Sequence, residues 1–495
     1  MTQMPNPALE EAMQAVAAAS GRADADPTRP VYHFRPPANW MNDPNGPIFH
    51  NGWLHLFYQH NPYGDDWGHM HWGHARSQDL VHWEHLPIAL WPSLDLGEEH
   101  VFSGCAAYAD QSLPMLIYTS VKRGEQGVRL PNEQWAARPL DPDLLTWEKH
   151  PANPVLALAT HGGPTFRDDW RDPFIFNAEG RTFLVLGGDY QQTAEVALYE
   201  ADDATLTRWH YCGPLYKTAT DQARFLECPN FVKLPPAMGH QVTPQATPAP
   251  EWLLIFSPYR QLEYISGAFD AGTLTFNPHS TGVLDAGASD VPNYYASNIV
   301  FDAQGRCILL GWVRGFAKGR SWNGCLALPR QLSMGVDGRP RQQPLPELAD
   351  LRGRHQHVAN VQLVGAGHFL TGVHGDTLEI EARLDLGSAQ AVGLRIHTAT
   401  EAAVGEQKAV TVRYDGAMLD VAGTAVAHAP AADRRLRLHI FLDKSVLELF
   451  VDDGRAAITR LVPPVRIEQG IELFAEDGIA TATSIDVWEI KSIWA

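Results

Sequence analysis

The residues Asn39-Trp40-Met41-Asn42-Asp43-Pro44-Asn45-Gly46 place a carboxylate on a stiff piece of backbone. Pro44 fixes its own φ and moves Asp43 out of the helical region, toward an extended conformation. The pair Asn45-Gly46 favours positive φ values, so we expect a tight turn directly after Asp43. Asp-Pro-Asn-Gly alone is also typical of an ordinary hairpin turn, whose Asp hydrogen-bonds its own backbone. The rest of the chain must decide between a turn and a functional site.

The first 29 residues predict a helix and a linker. Asn6 is a suitable N-cap, Pro7 suits the first helical position, and Gly21 is expected to end the helix. Glu10 and Glu11 stand where the apolar core of a signal peptide would begin, and no basic segment precedes them. No apolar run reaches the roughly 20 residues of a membrane span. We therefore predict a cytoplasmic protein without a membrane partner.

The composition excludes some partners and favours others. Lys and Arg number 38 against 57 Asp and Glu, for a net charge of −19. Such a surface repels phosphate backbones and anionic lipids, so we predict no nucleic acid partner. The 15 Trp residues suit a sugar ligand, for which indole rings are flat apolar platforms. The five cysteines are widely spaced without a Cys-x-x-Cys pair, so neither a disulfide framework nor a zinc site is predicted. The oligomeric state stays open.

A repeat of an aromatic segment organises the chain between residues 30 and 350. Its copies begin at Asp79, Asp143, Asp203 and, more weakly, Gly272. Each copy ends a block of about four strand-like runs, as expected for a propeller blade, and a fifth block lacking the segment starts near residue 294. A β-sandwich array is the alternative, but it does not explain one aromatic motif per block. The aromatic residues of the four copies are Trp83, Trp147, Trp209 and Phe276.

The predicted fold is therefore all-β, with a five-bladed β-propeller at 30–350 and a β-sandwich at 354–495. The sandwich is indicated by alternating strands, above all a hairpin from Leu438 to Val451. The Pro, Gln and Thr-rich stretch at 235–250 is expected to be an exposed loop. The first strands of the blades, which line the central channel of a propeller, start near Asp43, Ser103, Asp172, Glu227 and Tyr295.

Three of those first strands offer a carboxylate to one channel. Asp43 precedes Pro44, Asp172 lies in Arg171-Asp172-Pro173, and Glu227 lies in Glu227-Cys228-Pro229. Retaining glycoside hydrolysis needs two carboxyl groups about 5–5.5 Å apart, and a nearby proline fixes the backbone that positions each one. Arg171 is expected to keep Asp172 ionised by charge pairing. Cys228 is interpreted as an apolar spacer rather than a reactive thiol.

The motifs together resemble glycoside hydrolase family 32, the invertases and fructanases. The resemblance extends from about His33 to the end of the chain and includes the C-terminal hairpin. The motifs that carry it are Trp40 to Gly46, Phe57-Tyr58-Gln59-His60-Asn61-Pro62, Trp72-Gly73-His74-Ala75, Phe102-Ser103-Gly104, Arg171-Asp172-Pro173 and Glu227-Cys228-Pro229.

The resemblance implies cleavage of β-fructofuranosyl bonds with retention, without a metal or other cofactor. Asp43 would be the nucleophile, Glu227 the acid and then the base, and Asp172 would hold the fructose hydroxyls and stabilise the transition state. The implied substrate-binding residues are Asn42, Gln59, Trp67, Phe102, Ser103, Arg171, Asn293, Tyr295, Trp312 and Trp322.

The chain departs from the family in one segment. Asn293-Tyr294-Tyr295-Ala296 stands where the family has Asp-Phe-Tyr-Ala, and Asp290 is the nearest carboxylate that could substitute. The departure concerns the leaving-group side of the site and not the chemistry at fructose. His69, His71 and His74 suggest a metal site by spacing, but we interpret them as structural histidines.

We predict a retaining β-fructofuranosidase that hydrolyses sucrose and short fructo-oligosaccharides through a fructosyl-enzyme intermediate. A transfructosylase would use the same carboxylates with a sugar as the acceptor. A non-catalytic sugar-binding propeller would not need a proton donor, and an arabinan-cleaving propeller would lack the Asn-Asp-Pro-Asn-Gly and Glu-Cys-Pro contexts. The sequence leaves open the preferred chain length and whether sucrose 6-phosphate is a substrate.

Overall fold

The computed structural model describes residues 6–109, 113–124, 127–167, 169–219, 222–237, 251–289, 291–370, 372–397, 409–429, 435–464 and 470–494, with only the backbone at 366 and 367. The chain forms two compact units. The first comprises residues 1–25, 35–284 and 295–340, and the second comprises 26–34, 285–294 and 341–495. Two short segments remote in sequence thus group with the C-terminal unit, whereas the predicted domains were contiguous.

Helix α1 spans Pro7–Asp24, with the Asn6 side chain accepting a hydrogen bond from the Ala8 N–H at 3.0 Å. The prediction that Gly21 ends the helix was wrong. Gly in a helix costs only about 1 kcal/mol, and the following turn buries Ala23 completely, which favours continuation. Within the described residues, no helix is long and apolar enough to cross a membrane. The cytoplasmic location stays a prediction.

Five sheets follow one another along the chain as the blades of a propeller, which confirms the predicted fold class. The first blade contains β1 (Asn39–His50), β2 (Trp53–Asn61), β3 (His71–Ser77) and β4 (Glu84–Leu90). The second contains β5 (Glu98–Tyr108), β6 (Pro114–Lys122), β7 (Glu133–Pro139), β8 (Trp147–Lys149) and β9 (Leu156–Ala157). The third contains β10 (Trp170–Ala178), β11 (Arg181–Tyr190), β12 (Thr193–Ala201) and β13 (Trp209–Ala219).

The last two blades complete the ring. The fourth contains β14 (Glu227–Lys233), β15 (Trp252–Ser257), β16 (Glu263–Asp270) and β17 (Thr275–Val283). The fifth contains β18 (Tyr294–Phe301), β19 (Cys307–Val313), β21 (Cys325–Leu326), β22 (Arg330–Met334) and β23 (Pro340–Pro344). The short β20 (Trp322–Asn323) leaves this blade and pairs in parallel with the start of β1, so it joins the last blade to the first.

The repeated aromatic segment leads into the outer strand of each of the first four blades. In the second and third blades, the indole N–H donates to the carbonyl three residues earlier, from Trp147 to Leu144 at 2.8 Å and from Trp209 to Leu206 at 3.1 Å. The equivalent leucine is left-handed in all four copies, with φ of 68°, 58°, 55° and 56° at Leu80, Leu144, Leu206 and Leu274. The repeat is therefore a structural turn, which explains why it recurs once per blade.

The first strands of four blades contain a β-bulge near the residues predicted to be functional. The register shifts lie between Met41 and Pro44, Val101 and Gly104, Arg171 and Phe174, and Glu227 and Asn230. Proline cannot donate to a strand ladder, so inside a sheet it is confined to edges and bulges. A bulge also re-aims a side chain. The tight turn predicted at Asn45-Gly46 was therefore wrong, because both residues continue β1 and only Gly46 has a positive φ, of 45°.

The C-terminal unit is a β-sandwich built from one bent sheet, in which β33 pairs with β26 through its first part and with β25 through its second part. Its core is a continuous cluster of buried Leu, Ile, Val and Ala side chains. A 3₁₀ helix at Pro346–Leu351 precedes it, and another lies at Leu94–Leu96 in the first unit. Residues 238–250 of the predicted exposed loop lie outside the described residues. The sandwich strands are β24 (Arg352–Leu370), β25 (Thr377–Asp385), β26 (Ala391–His397), β27 (Ala409–Tyr414), β28 (Met418–Val421), β29 (Thr424–Ala427), β30 (Arg435–Asp443), β31 (Val446–Val451), β32 (Ala456–Leu461) and β33 (Ile471–Ile490).

Candidate active site

A closed circuit of hydrogen bonds holds the Asp43 carboxylate. Asn42 donates to Asp43 Oδ1 at 3.0 Å and to the Gln59 side-chain oxygen at 2.8 Å. Gln59 donates to the Ser103 hydroxyl at 2.5 Å, and that hydroxyl donates to Asp43 Oδ2 at 2.5 Å. The Trp40 indole N–H donates to the Asn42 side-chain oxygen at 2.7 Å and so fixes the orientation of this amide. Each member orients the next, so the rotamer of Asp43 is determined by four side chains from three strands.

Asp172 lies at the bulge of β10 in a left-handed conformation, with φ of 66°. Its N–H donates to the Thr119 hydroxyl at 3.0 Å, and its Oδ2 accepts the Cys228 N–H at 3.0 Å. These bonds tie the bulge to the neighbouring blades. The side chain is 6% exposed, and this burial raises the pKa of Asp172 to about 7 although the Arg171 charge opposes the shift.

Glu227 begins β14, and its two carboxylate oxygens have different partners. Oε1 accepts from the Arg171 guanidinium at 2.7 Å, and Oε2 accepts from the Tyr295 hydroxyl at 2.5 Å. Arg171 also donates to the Tyr259 hydroxyl at 2.9 Å. Its Nε lies 3.7 Å from Asp172 Oδ2. The sequence suggested that Arg171 pairs with its neighbour Asp172, whereas the closer ion pair joins it to Glu227.

Cys228 lies between the carboxylates. Its Sγ is 3.5 Å from Asp43 Oδ2 and 3.7 Å from Asp172 Oδ2, so one sulfur atom contacts both acids. Burial and the adjacent carboxylates raise the pKa of the thiol well above its ordinary value, so Cys228 is a neutral donor. The interpretation of Cys228 as only an apolar spacer was therefore incomplete, since its thiol and its N–H both serve the carboxylates.

Asp43 and Asp172 lie close enough to Glu227 for its charge to raise the pKa of both. Burial raises the pKa of Asp43, the hydrogen bonds from Ser103 and Asn42 oppose this, and the Glu227 charge adds to the increase. The charges of Glu227 and Asp43 in turn raise the pKa of Asp172. Titratable groups that burial and like charges shift in this way are typical of reacting sites.

Asn298 and Asn45 connect three blades beneath the carboxylates, and sequence reasoning missed both. The Asn298 amide donates to the carbonyls of Pro44 and Gly104 at 3.3 and 3.0 Å. Asn45 Oδ1 accepts the Gly104 N–H at 3.1 Å. A Cβ at Gly104 would lie 2.1 Å from the Ile117 carbonyl oxygen, so only glycine permits this approach. The sequence signal that could have identified Asn298 is the polar pair Ser297-Asn298 inside an otherwise apolar strand.

The predicted aromatic residues fall into different environments. Trp67 is 51% exposed and packs edge-on against Phe102 at 5.9 Å, so this pair offers an open aromatic surface. Trp312 is 7% exposed and packs with Cys228 and Tyr295. Trp322 is 1% exposed and contacts Phe316, which leaves it little surface for a ligand.

Asn293 belongs to the second compact unit, where its Oδ1 accepts the Leu461 N–H at 3.3 Å. Asp290, the other candidate for the leaving-group side, lies outside the described residues. Tyr259, which sequence reasoning missed, has a left-handed φ of 64° and is 49% exposed. Its N–H donates to the Tyr295 hydroxyl at 2.9 Å.

The histidines that suggested a metal site by spacing are used internally. His71 Nδ1 contacts the His69 carbonyl oxygen at 2.5 Å, and His74 Nε2 contacts His55 Nδ1 at 3.0 Å. Burial lowers the pKa of His71 to about 3 and also lowers that of His74. Both are thus neutral residues of the first blade, and their interpretation as structural histidines stays a prediction.

Comparison with known proteins gives the same assignment over the whole chain. Residues 33–344 match the model of the glycosyl hydrolases family 32 N-terminal domain, and residues 347–489 match that of the family 32 C-terminal domain. A levanase from Bacillus subtilis is 31% identical over 98% of this chain and 74% of its own length. A sucrose-6-phosphate hydrolase from Escherichia coli is 29% identical over 93% of this chain and 94% of its own.

Solved structures agree with this result. A family 32 β-fructofuranosidase from Bombyx mori superposes with a TM-score of 0.79 at 26% identity, over 99% of both chains. The matched regions include the bulged strands that carry Asp43, Asp172 and Glu227. The chain therefore belongs to glycosyl hydrolases family 32 and is a glycoside hydrolase.

Proposed function

We propose that the protein is a retaining β-fructofuranosidase that hydrolyses sucrose and short fructo-oligosaccharides through a fructosyl-enzyme intermediate. The observation that carries the proposal is the convergence of three carboxylates: the Cys228 thiol contacts both Asp43 and Asp172, and the charge of the adjacent Glu227 raises the pKa of both. The relatives named levanase, raffinose invertase and sucrose-6-phosphate hydrolase support the substrate class.

Asp43 is assigned as the nucleophile that attacks the anomeric carbon of the fructosyl group. Its Oδ2 is engaged by the Ser103 hydroxyl and the Cys228 thiol, whereas its Oδ1 accepts one bond, from Asn42. A carboxylate oxygen has two lone pairs, so Oδ1 keeps one for attack. The hydrogen-bonded circuit holds the side chain in one orientation, which lowers the entropic cost of reaching the reactive geometry.

Glu227 is assigned as the general acid and base. It donates a proton to the glycosidic oxygen as the bond to the leaving group breaks, then removes a proton from the water that attacks the intermediate. The Arg171 guanidinium and the Tyr295 hydroxyl contact different oxygens of Glu227 and hold its plane. Tyr259 and Arg171 lie beside it on the leaving-group side of this assignment.

Asp172 is assigned as the residue that accepts hydrogen bonds from fructose hydroxyls and stabilises positive charge in the transition state. Its pKa of about 7 follows from burial and from the charges of the other two carboxylates. Hydroxyl donors from a bound sugar would favour its ionised form. Asn42, Gln59 and Trp67 are further proposed contacts for the sugar, by resemblance to the family.

The stereochemistry of the product tests the proposal. With sucrose in aqueous methanol, we expect methyl β-fructofuranoside among the products, because a covalent intermediate opened by methanol restores the starting configuration. Nuclear magnetic resonance of the initial product identifies the anomer. Formation of the α-anomer would contradict the retaining mechanism, and the absence of any product would contradict the substrate.

A transfructosylase differs from this proposal only in the acceptor. Incubation at high sucrose distinguishes the two, because hydrolysis yields equimolar glucose and fructose while transfer yields growing trisaccharides. The same assay with sucrose 6-phosphate, raffinose, inulin and levan determines the preference for the leaving group and the chain length. We expect sucrose and short oligosaccharides to be cleaved fastest.

A further inference from the structure

A cluster of three different metal-ligand types lies on the outer strands of the third blade. Glu200, His210 and Cys212 each present one donor atom, and the three atoms lie within 4.8 Å of one another. They belong to β12 and β13, whereas the catalytic assignments lie on the innermost strands of the blades. Cys212 is unbridged and the other four cysteines are buried, so this thiol is the one open to solvent.

The strand pairing explains why these side chains meet. Glu200 of β12 pairs in register with His210 of β13, which places them side by side. Cys212 follows His210 by two positions and is the extra residue of a register shift, because Tyr211 pairs with Tyr199 and Gly213 pairs with Leu198. The opposite face carries Trp209 and Tyr211, whose rings pack inward. Two of the donors thus belong to a ladder pair and Cys212 lies at the bulge beside it, with all three donor atoms within 4.8 Å of one another.

His210 is already oriented as a metal ligand. Its Nδ1 lies 2.8 Å from Asp202 Oδ1, and its Nε2 lies 3.5 Å from Glu200 Oε2. In the neutral tautomer whose Nδ1–H donates to Asp202, the lone pair for a metal is on Nε2. A carboxylate that fixes the tautomer of a ligating histidine is typical of zinc sites. The 3.5 Å separation matches the edge of about 3.4 Å expected in a tetrahedron with bonds of about 2.0–2.2 Å.

Glu200 is oriented from behind by a bidentate ion pair. Arg181 donates to both of its oxygens, at 2.7 and 2.6 Å. Each oxygen keeps a further lone pair, so Oε2 can accept a cation on its other side. The ion pair fixes the plane of the carboxylate, and the thiolate and the imidazole are the stronger donors of the group.

We propose that Glu200, His210 and Cys212 bind one Zn²⁺, with water as the fourth ligand. Sulfur, imidazole and carboxylate donors together suit this borderline-soft ion and not Mg²⁺ or Ca²⁺, which require oxygen ligands. Binding releases the Cys212 proton to solvent and forms the thiolate–metal bond. The sequence did not predict the site, because His-x-Cys is a short motif and Glu200 is supplied by the neighbouring strand.

A second group in the sandwich, Glu379, Glu381 and His439, has similar separations but a different arrangement. There the Arg352 guanidinium donates to Glu379 at 2.6 Å and to Glu381 at 2.7 Å. The guanidinium thus stands between the carboxylates, where an ion would bind, and no sulfur ligand is present in the group. The sandwich group therefore serves as an internal comparison for the proposed zinc ligands of the third blade.

The experiment is titration of the full-length protein with ZnCl₂ by calorimetry and with CoCl₂ by absorption spectroscopy. We expect one equivalent of Zn²⁺ per chain, and a thiolate-to-cobalt charge-transfer band that Zn²⁺ abolishes. The variants Cys212→Ser and His210→Ala should lose the band and the stoichiometric binding. Asp202→Asn should keep the ligands but weaken binding about 10- to 100-fold, as removal of a ligand-orienting partner does.

The control is His82→Ala, which removes another exposed histidine paired with an aspartate, at 2.8 Å from Asp79, but without a cysteine. It should bind Zn²⁺ like the parent. Zn²⁺ should also protect Cys212 from iodoacetamide, as measured by mass spectrometry. The proposal is overturned if Cys212→Ser binds Zn²⁺ unchanged, if the cobalt band is absent, or if His439→Ala and not His210→Ala removes the bound equivalent.

Discussion

The propeller and the sandwich each bury a cluster of carboxylates, and they differ in how the charge is compensated. In the sandwich unit, His33 lies between Asp443 and Glu448, with ring nitrogens 2.8 and 3.0 Å from their oxygens. Asp443 also accepts the backbone N–H groups of Val31, Tyr32 and His33. These hydrogen bonds to both acids raise the pKa of His33 to about 9 although burial opposes this shift.

In the propeller, compensation is incomplete. Arg171 lies 2.7 Å from Glu227 but 3.7 Å from Asp172, and Asp43 has only neutral donors in its circuit. The pKa of Asp172 is accordingly raised to about 7, and that of Asp43 is raised as well. A cluster whose buried negative charges are compensated stabilises the fold. A cluster whose charges are only partly compensated keeps protons exchangeable near neutral pH, as acid–base chemistry requires.

The largest effect should follow removal of the proposed nucleophile. Asp43→Ala is expected to lower kcat on sucrose by at least ~10⁴-fold, as loss of a nucleophile does in other hydrolases. Its denaturant midpoint should equal or exceed the parent value, because the change removes one of several interacting buried carboxylates. Asp203→Ala, at a surface turn, is the control and should leave kcat unchanged. Turnover within tenfold of the parent would exclude Asp43 as the nucleophile.

Loss of the proposed acid and base should lower kcat less than loss of the nucleophile does, and an added anion should restore part of the activity. Glu227→Ala is expected to lower kcat by ~10²–10⁴-fold. With β-fructosyl fluoride, whose leaving group needs no proton, azide should restore turnover and yield a β-fructosyl azide, since a small anion can attack the intermediate without a general base. In Asp43→Ala, azide can only displace the leaving group directly, so any azide product should be the α-anomer. Equal behaviour of both variants toward azide would contradict the division of roles.

In the sandwich, the expected loss is of stability and not of chemistry. Asp443→Asn removes one of the two carboxylates that face the His33 ring and should lower the free energy of unfolding by about 3 kcal/mol. The value of kcat per folded molecule should not change. The exposed pair Arg354–Glu489 provides the control, since Glu489→Gln should cost less than about 1 kcal/mol. Denaturant unfolding followed by tryptophan fluorescence measures both variants.

The stability of the sandwich cluster should also depend on pH in a defined direction. The pKa of His33 is about 9 in the folded protein and 6.5 as its ordinary value. Folding therefore takes up a proton between these values, and the stabilisation, about 3 kcal/mol, is complete below pH 6.5 and is lost as the pH rises through 9. His33→Gln should flatten this dependence. A parent midpoint that is constant from pH 6 to 10 would contradict it.

The smallest effect concerns the circuit around Asp43. Hydrogen bonds from Ser103 and Asn42 oppose the burial that raises the pKa of Asp43. Ser103→Ala should therefore raise that pKa further and move the acidic limb of the kcat/KM profile to higher pH. Ser120→Ala is the matched control, because the buried Ser120 hydroxyl has no partner among the described residues. An unchanged limb in Ser103→Ala would exclude Asp43 as the group that titrates there.

Much of the fold was predictable because its signals are local. The aromatic repeat and its left-handed leucine specify one turn in each of four blades, and the fifth blade was predicted from a strand-like block that lacks the repeat. The hairpin from Leu438 to Val451 was equally clear from alternation. The prolines after Asp43 and Asp172 predicted stiff positions and not bulges, because a bulge is defined by the register of the partner strand.

The sequence by itself determined the type of scaffold, the family and the three carboxylates, since these depend on residues adjacent in the chain. Only the tertiary structure decided which charges pair: Arg171 with Glu227, His33 with Asp443, and Glu200 beside His210. Those pairings join residues from different strands or segments, and Coulomb and hydrogen-bond energies depend on distance in space. Strand register, which no single segment specifies, sets these distances.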